Sequence, residues 1–179
     1  MNPVITVFGS SRPSPGSKEY AAAYDTGRFL AANGFTVCNG GYWGTMEASS
    51  KGAKEAGGAT IGVTSSVFPR KANPWVDQEI RTDSMIERLM KLMELGQGYI
   101  VLKGGTGTLL ELAAVWEFIN KGFQKQKPVF ILGPFWSPVI DTMRGESVWD
   151  GSGDCTSFVK RIETPEECAD DLRRLQRLA

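Results

Sequence analysis

Residues Tyr99–Gly122 read YIVLKGGTGTLLELAAVWEFINKG. The apolar run Tyr99 to Leu102 is too short for a helix and suits a strand buried inside a parallel sheet. It passes directly into Gly104, Gly105, Thr106, Gly107 and Thr108, after which a helical run is predicted over 108–122. A strand, a glycine turn and a helix N-terminus in that order make an anion site. Glycine lets the backbone approach closely, and the first-turn N–H groups have no helical partner. The stretch therefore predicts a phosphate cradle at the end of a central strand.

One turn into the helix, Glu111 shares a face with Val115 and Phe118, so a carboxylate projects from an otherwise apolar stripe. Spacing leaves two readings open. Thr108-Leu-Leu-Glu111 spells a capping box, in which the glutamate bonds back to the cap backbone. A carboxylate beside an anion cradle is equally the equipment of a catalytic site.

Upstream, Ser84-Met-Ile-Glu87 is a second capping box and opens a helix to about Leu95. Met85, Ile86, Leu89, Met90, Leu92 and Met93 fill one broad face of that helix, and Arg88 falls at its margin. An arginine there is either a snorkelling side chain or a functional one. The Met-rich face reads as core packing.

Further out the same grammar repeats. Strands are predicted at Val4–Phe8, Phe35–Cys38, Ala59–Val63, Glu79–Thr82, Lys127–Leu132 and Phe158–Ile162. Helices are predicted over 17–32, 45–56 and 136–144, and Thr164-Pro165-Glu166 starts a closing helix with proline at its permitted first position. The stretch 64–77, with Arg70, Lys71 and Trp75, reads as a long loop and a weak lid candidate, and 145–154 as a Gly/Ser/Asp loop. Alternating strands and helices predict an α/β fold: one domain over 1–179, a Rossmann-like, doubly wound parallel sheet in a three-layer α/β/α sandwich. Ligands of such sheets sit beyond the carboxyl ends of the strands, so loops 9–13, 39–44 and 103–108 should converge. The dinucleotide fingerprint G-x-G-x-x-G after the first strand is missing.

Composition narrows the chemistry. Twenty basic and twenty acidic residues cancel, which argues against a dedicated nucleic-acid or membrane-surface binder. No apolar run approaches membrane-spanning length, and no secretory leader is evident. Three cysteines without CxxC spacing suggest neither a disulfide framework nor zinc, and fit a reducing cytoplasm. Histidine is absent, so acid–base work falls to Asp, Glu, Lys, Tyr or Cys.

Lys103-Gly-Gly-Thr-Gly-Thr-Leu-Leu-Glu111 resembles the PGGxGTxxE motif of the LOG family, with Lys103 in place of proline. Gly9-Ser10-Ser11 resembles the family's FCGSS. Asn39-Gly-Gly-Tyr-Trp-Gly44 with Met46 resembles GGGxxGxMG, Asn39 and Glu47 replacing glycines. Met85-Ile-Glu-Arg88 resembles MxxRKxxM, with Leu89 for lysine. Characterised members are cytokinin riboside 5'-monophosphate phosphoribohydrolases, often mislabelled lysine decarboxylases.

The resemblance implies a nucleoside 5'-monophosphate substrate, cleaved to free base and ribose 5-phosphate with no cofactor and no metal. It implies Arg88 and Glu111 as catalytic residues. Gly9, Ser10, Gly40, Gly41, Met85 and Gly104, Gly105, Thr106, Gly107 and Thr108 are the implied binding set. An alternative is a molybdenum-cofactor carrier, which Lys51–Val63 resembles as well; the Arg88 and Glu111 pair favours the enzyme. A lysine decarboxylase ranks last, for want of a pyridoxal-phosphate lysine context. A homodimer is expected, because the 84–95 helix is apolar over more than half its circumference and the 108–122 helix adds Trp116, Phe118 and Ile119 beyond its inward face.

Overall fold

The computed structural model describes residues 2–149 and 154–178. Its strands are β1 (Val4–Phe8), β2 (Thr36–Asn39), β3 (Thr60–Ser65), β4 (Gln78–Thr82), β5 (Gly98–Val101), β6 (Val129–Leu132) and β7 (Val159–Ile162). They form one sheet in the order β4-β3-β2-β1-β5-β6-β7, with every pair parallel. The helices are α1 (Lys18–Ala32), α2 (Thr45–Glu55), α3 (Met85–Leu95), α4 (Thr106–Asn120), α5 (Ser137–Trp149) and α6 (Ala169–Leu178). The α/β doubly wound expectation holds.

Strand alternation explains the two helical layers. Successive side chains point to opposite faces, so Ile5, Val7, Ile100 and Phe130 share one core with α1, α2 and Leu172 of α6. Phe8, Tyr99, Val101 and Ile131 share the other with α3, α4 and Ile140 of α5. Both faces are covered, which is why the central strands read as continuous apolar runs rather than alternating ones. From β1 the chain steps outward through β2 and β3 to the edge strand β4. Helix α3 then carries it back across the sheet to β5 on the far side of β1. The loops after β1 and β5 therefore flank the point where strand order reverses.

Several local expectations need correction. Helix α4 starts at Thr106 rather than at 108, with Gly105 as its N-cap and no side-chain cap bond. Thr108 lies inside the first turn, so the Thr108–Glu111 capping box does not form. Helix α5 runs through Gly145 to Trp149, where a loop was expected; an exposed mid-helix glycine costs only about 1 kcal/mol relative to alanine and does not by itself end a helix. The rest of that expected loop, 150–153, lies outside the described residues. The closing helix is preceded by a 3-10 turn, Pro165–Cys168, with a capping box between Thr164 and Glu167. Ser84 caps α3 as expected, its hydroxyl accepting from Glu87 N at 3.1 Å. Among the described residues no helix is long and apolar enough to cross a membrane.

Trp116 and Ile119 are buried within the chain and do not add to an outward apolar face. The Trp116 indole packs in the core and donates to Cys155 O at 2.6 Å. On these two helices the exposed large apolar side chains are instead Met85, Ile86 and Met90 of α3 and Leu109 and Leu110 of α4.

Candidate active site

A cavity of about 950 Å3 opens at the carboxyl end of the sheet. The loop after β1 lines it with Gly9, Ser10, Ser11 and Arg12, and the loop after β5 with Lys103, Gly104 and Gly105. The first turn of α4 follows with Thr106, Gly107 and Thr108. The first helical bond of α4 runs from Leu109 N to Gly105 O at 3.0 Å. The N–H groups of Thr106, Gly107 and Thr108 therefore have no helical acceptor, and they sit at the positive end of the helix dipole. A Cβ built on Gly105 or Gly107 meets nothing within 4 Å, so both glycines border open space. Gly104 is different, since its Cβ would fall 2.2 Å from Thr108 Oγ1.

Arg88 and Glu111 meet at the buried side of this cavity, from α3 and α4. Arg88 Nη1 lies 3.7 Å from Glu111 Oε1, and the two side chains are only 9% and 15% exposed. At that distance the contact is an ion pair rather than a hydrogen bond. The rest of the guanidinium is anchored: Nε donates to Val63 O at 2.8 Å and Nη2 to Gly40 O at 3.1 Å. Its Cζ lies over the Tyr42 ring, 5.6 Å from the centroid. Snorkelling is thereby ruled out for Arg88.

Glu111 has Arg88 as its only recorded ion-pair partner among the described residues. Burial pushes its carboxyl up to about 7, against the opposing pull of Arg88. A carboxyl with that value changes charge near neutral pH and is suited to proton transfer or to meeting a developing positive charge.

Of the implied binding residues outside the β1 and β5 loops and α4, Met85 lines the cavity, whereas Gly40 and Gly41 do not. Both are buried behind the wall. The Gly40 carbonyl holds Arg88, and the Gly41 carbonyl accepts from Asn73 N at 2.8 Å and Asn73 Nδ2 at 3.1 Å. Gly44, at φ 72°, lets the loop after β2 turn against the loop after β1; a Cβ there would lie 2.5 Å from Ser10 O.

Several lining residues, Tyr42, Phe68, Arg70 and Glu19 among them, were not singled out as site residues from the sequence. Tyr42 bridges Ser65, its hydroxyl donating to Ser65 O at 3.1 Å and accepting from Ser65 N at 2.9 Å. Phe68 packs edge-on to Tyr42 at 5.6 Å and lines the cavity beside Arg70, so the long loop expected over 64–77 does supply part of the wall. Asn73 ties this loop to the 39–44 loop, also donating to Tyr42 O at 2.8 Å. Glu19, in the first turn of α1, pairs with Lys103 Nζ at 2.9 Å. Residues on loops without periodicity leave no pattern to read, and Glu19 and Lys103 are 84 positions apart.

Comparison with known proteins is consistent with this geometry. A sequence model described as the SLOG cluster4 family matches residues 2–161. A Mycobacterium tuberculosis protein named cytokinin riboside 5'-monophosphate phosphoribohydrolase is 32% identical over 134 residues, spanning 73% of this chain and 71% of its own. A protein of the same name from Mycobacterium marinum is 33% identical over 135 residues, again 73% and 71%. The solved structure of a molybdenum cofactor binding protein from Rippkaea orientalis superposes with a TM-score of 0.74 at 28% identity, covering 98% of both chains. With a family match over most of its length and relatives above 30% identity across most of both sequences, this chain belongs to the SLOG cluster4 family.

Proposed function

We propose that this chain is a phosphoribohydrolase that cleaves the N-glycosidic bond of a nucleoside 5'-monophosphate. The observation that carries the reading is the buried Arg88–Glu111 pair facing the same cavity as the α4 cradle. The N–H groups of Thr106, Gly107 and Thr108 hold the 5'-phosphate, with Gly9, Ser10, Gly104 and Gly105 shaping the space around it. Held there, the ribose presents its anomeric carbon towards Glu111. As the bond from that carbon to the base nitrogen breaks, positive charge develops on the sugar, and the Glu111 carboxylate stabilises it. Water supplies the oxygen for the new bond; one of its protons stays on the new hydroxyl and the other leaves with the base. Arg88 opposes protonation of the carboxylate and orients it. The names of the mycobacterial relatives support this reaction class.

Incubating the protein with a panel of nucleoside monophosphates and measuring free base and ribose 5-phosphate tests the reading. Release from at least one is expected, and the matching nucleosides compete poorly because they lack the anion. Equal affinity for nucleoside and nucleotide would show that the cradle has been misread.

The second reading is a carrier of a phosphorylated cofactor, favoured by the end-to-end likeness to the Rippkaea orientalis protein. A ligand that copurifies, together with no base release from any nucleotide, would select it. In either case the active species is a homodimer, because Met85, Ile86 and Met90 on α3 and Leu109 and Leu110 on α4 leave apolar surface on the two helices that the ion pair joins. Sedimentation as a monomer at micromolar concentration rejects the dimer.

A further inference from the structure

Asn39 ends β2 at a position where the LOG-type motif has glycine, and it is fully buried. Every polar atom of its amide is engaged. Oδ1 accepts from Gly41 N at 2.8 Å. Nδ2 donates to Met46 O at 3.0 Å, Ser49 Oγ at 3.1 Å and Ser50 Oγ at 2.9 Å. Two N–H bonds thus serve three acceptors, with one of them shared.

The bond from Oδ1 to the N–H two residues on is an Asx turn, and it closes around Gly40. That turn sets the direction of the Gly40 carbonyl, which receives Arg88 Nη2 at 3.1 Å. Packing there is tight enough that a Cβ on Gly40 would lie 1.8 Å from the same nitrogen. With Nε fixed on Val63 O, the planar guanidinium is held at two points, and Nη1 on its remaining edge meets Glu111. An unbroken chain of polar contacts therefore runs from the Asn39 amide through the Gly40 carbonyl and Arg88 to Glu111.

We infer that Asn39 is a positioning residue, which aims Arg88 at Glu111 through the Gly40 carbonyl and never touches the substrate. The inference rests on the reading of Arg88 and Glu111 as the working pair of the site. An ion pair at 3.7 Å in a partly desolvated setting is sensitive to displacement, because its energy falls with distance and little water screens it. Arg88 is the charged group that bears on Glu111, so loosening the turn weakens the one force that opposes burial of the carboxylate.

The test follows the Glu111 carboxyl by carbon-13 NMR across pH 5–9, in protein labelled at glutamate and assigned with Glu111→Gln. Because the chain has no histidine, no imidazole titration overlaps the window. Asn39→Ala should raise the Glu111 midpoint by about half a pH unit or more, since Arg88 is no longer held so close. Ser50→Ala removes one of three acceptors and leaves each Asn39 N–H a partner, so it should lower stability at most and leave the midpoint in place. Asn39→Ser keeps an acceptor for the Gly41 N–H in a weaker turn of the same kind and should fall between wild type and alanine.

An unchanged midpoint in folded Asn39→Ala overturns the inference, as do equal shifts in Asn39→Ala and Ser50→Ala. If Asn39→Ala does not fold, Asn39→Ser decides, and a wild-type midpoint there overturns the inference. The measurement needs no substrate. Failure of the wild type to release base therefore rejects the enzymatic reading separately, while the midpoints still decide the role of Asn39.

Discussion

Arg88–Glu111 and Lys103–Glu19 line the same cavity, one pair at its buried side and the other at its solvent-facing rim. The rim pair has the better distance, 2.9 Å against 3.7 Å, but its side chains are 54% and 36% exposed against 9% and 15%. Water and salt screen the outer pair, and two long side chains lose freedom to form it. Inside, little water competes, and a charge left without its partner is costly. The effect on the carboxylates is opposite in sign: the hydrogen bond from Lys103 lowers the Glu19 carboxyl, whereas burial raises that of Glu111 to about 7. Separation alone would rank these pairs the wrong way round for chemistry.

The largest effect is expected from Glu111→Gln, which keeps shape and removes the charge. Turnover of the nucleotide should fall by roughly a hundredfold or more, while phosphate affinity survives. The same change should alter how stability depends on pH. Glu111 has a native value raised above that of an unfolded glutamate, so its stabilising contribution is complete below the unfolded value, near 4.3, and is lost as pH rises through about 7. The glutamine variant escapes that loss. It should gain on the order of 2–3 kcal/mol relative to wild type at pH 8 and little at pH 5, as read by urea unfolding at both. A gain of the same size at both pH values would mean that Glu111 is not held near neutral.

Arg88→Met sharpens the comparison from the other partner. It strands a buried carboxylate and leaves the Val63 and Gly40 carbonyls without their donor, so a loss of roughly 3 kcal/mol is expected at pH 8. The loss should be smaller at pH 6, where Glu111 takes up a proton. Combined with Glu111→Gln, the effects on turnover should be less than additive.

Gly107→Ala isolates the cradle from the pair. A Cβ there meets no protein atom within 4 Å, so folding should be unaffected or slightly improved. Phosphate affinity should drop by about tenfold, because the methyl occupies space that the anion needs; isothermal titration with inorganic phosphate measures it. The smallest effect belongs to the rim pair. Lys103→Ala should leave the thermal midpoint unchanged within error and show only in a salt-dependent change of substrate KM.

Much of this architecture was legible in the chain itself. The run Tyr99–Leu102 into Gly104–Thr108 announced a buried strand and a glycine turn into a helix N-terminus, because a parallel strand covered on both faces must be continuously apolar and a close backbone approach needs glycine. The Ser84 cap could be read because capping is local, its partners three residues apart. The same local logic failed at Thr108-Leu-Leu-Glu111, where the spacing of a capping box is present but α4 begins two residues earlier at Gly105–Thr106. It failed again at Trp116 and Ile119, whose outward side on a helical wheel is covered by the chain near Cys155 and α5.

By itself, then, the sequence determined the alternation of strands and helices, the glycine loops and the residue types available for chemistry, since each follows from period, backbone freedom or composition. Only the tertiary structure decided what those residues do to one another. Arg88 and Glu111 are 23 positions apart and acquire their character from burial side by side, and Gly40 serves as a carbonyl behind the wall rather than as part of the cradle. Lys103 finds Glu19 across 84 positions of the chain. Charge, desolvation and distance depend on what surrounds a group in three dimensions, and no spacing along the chain encodes that environment.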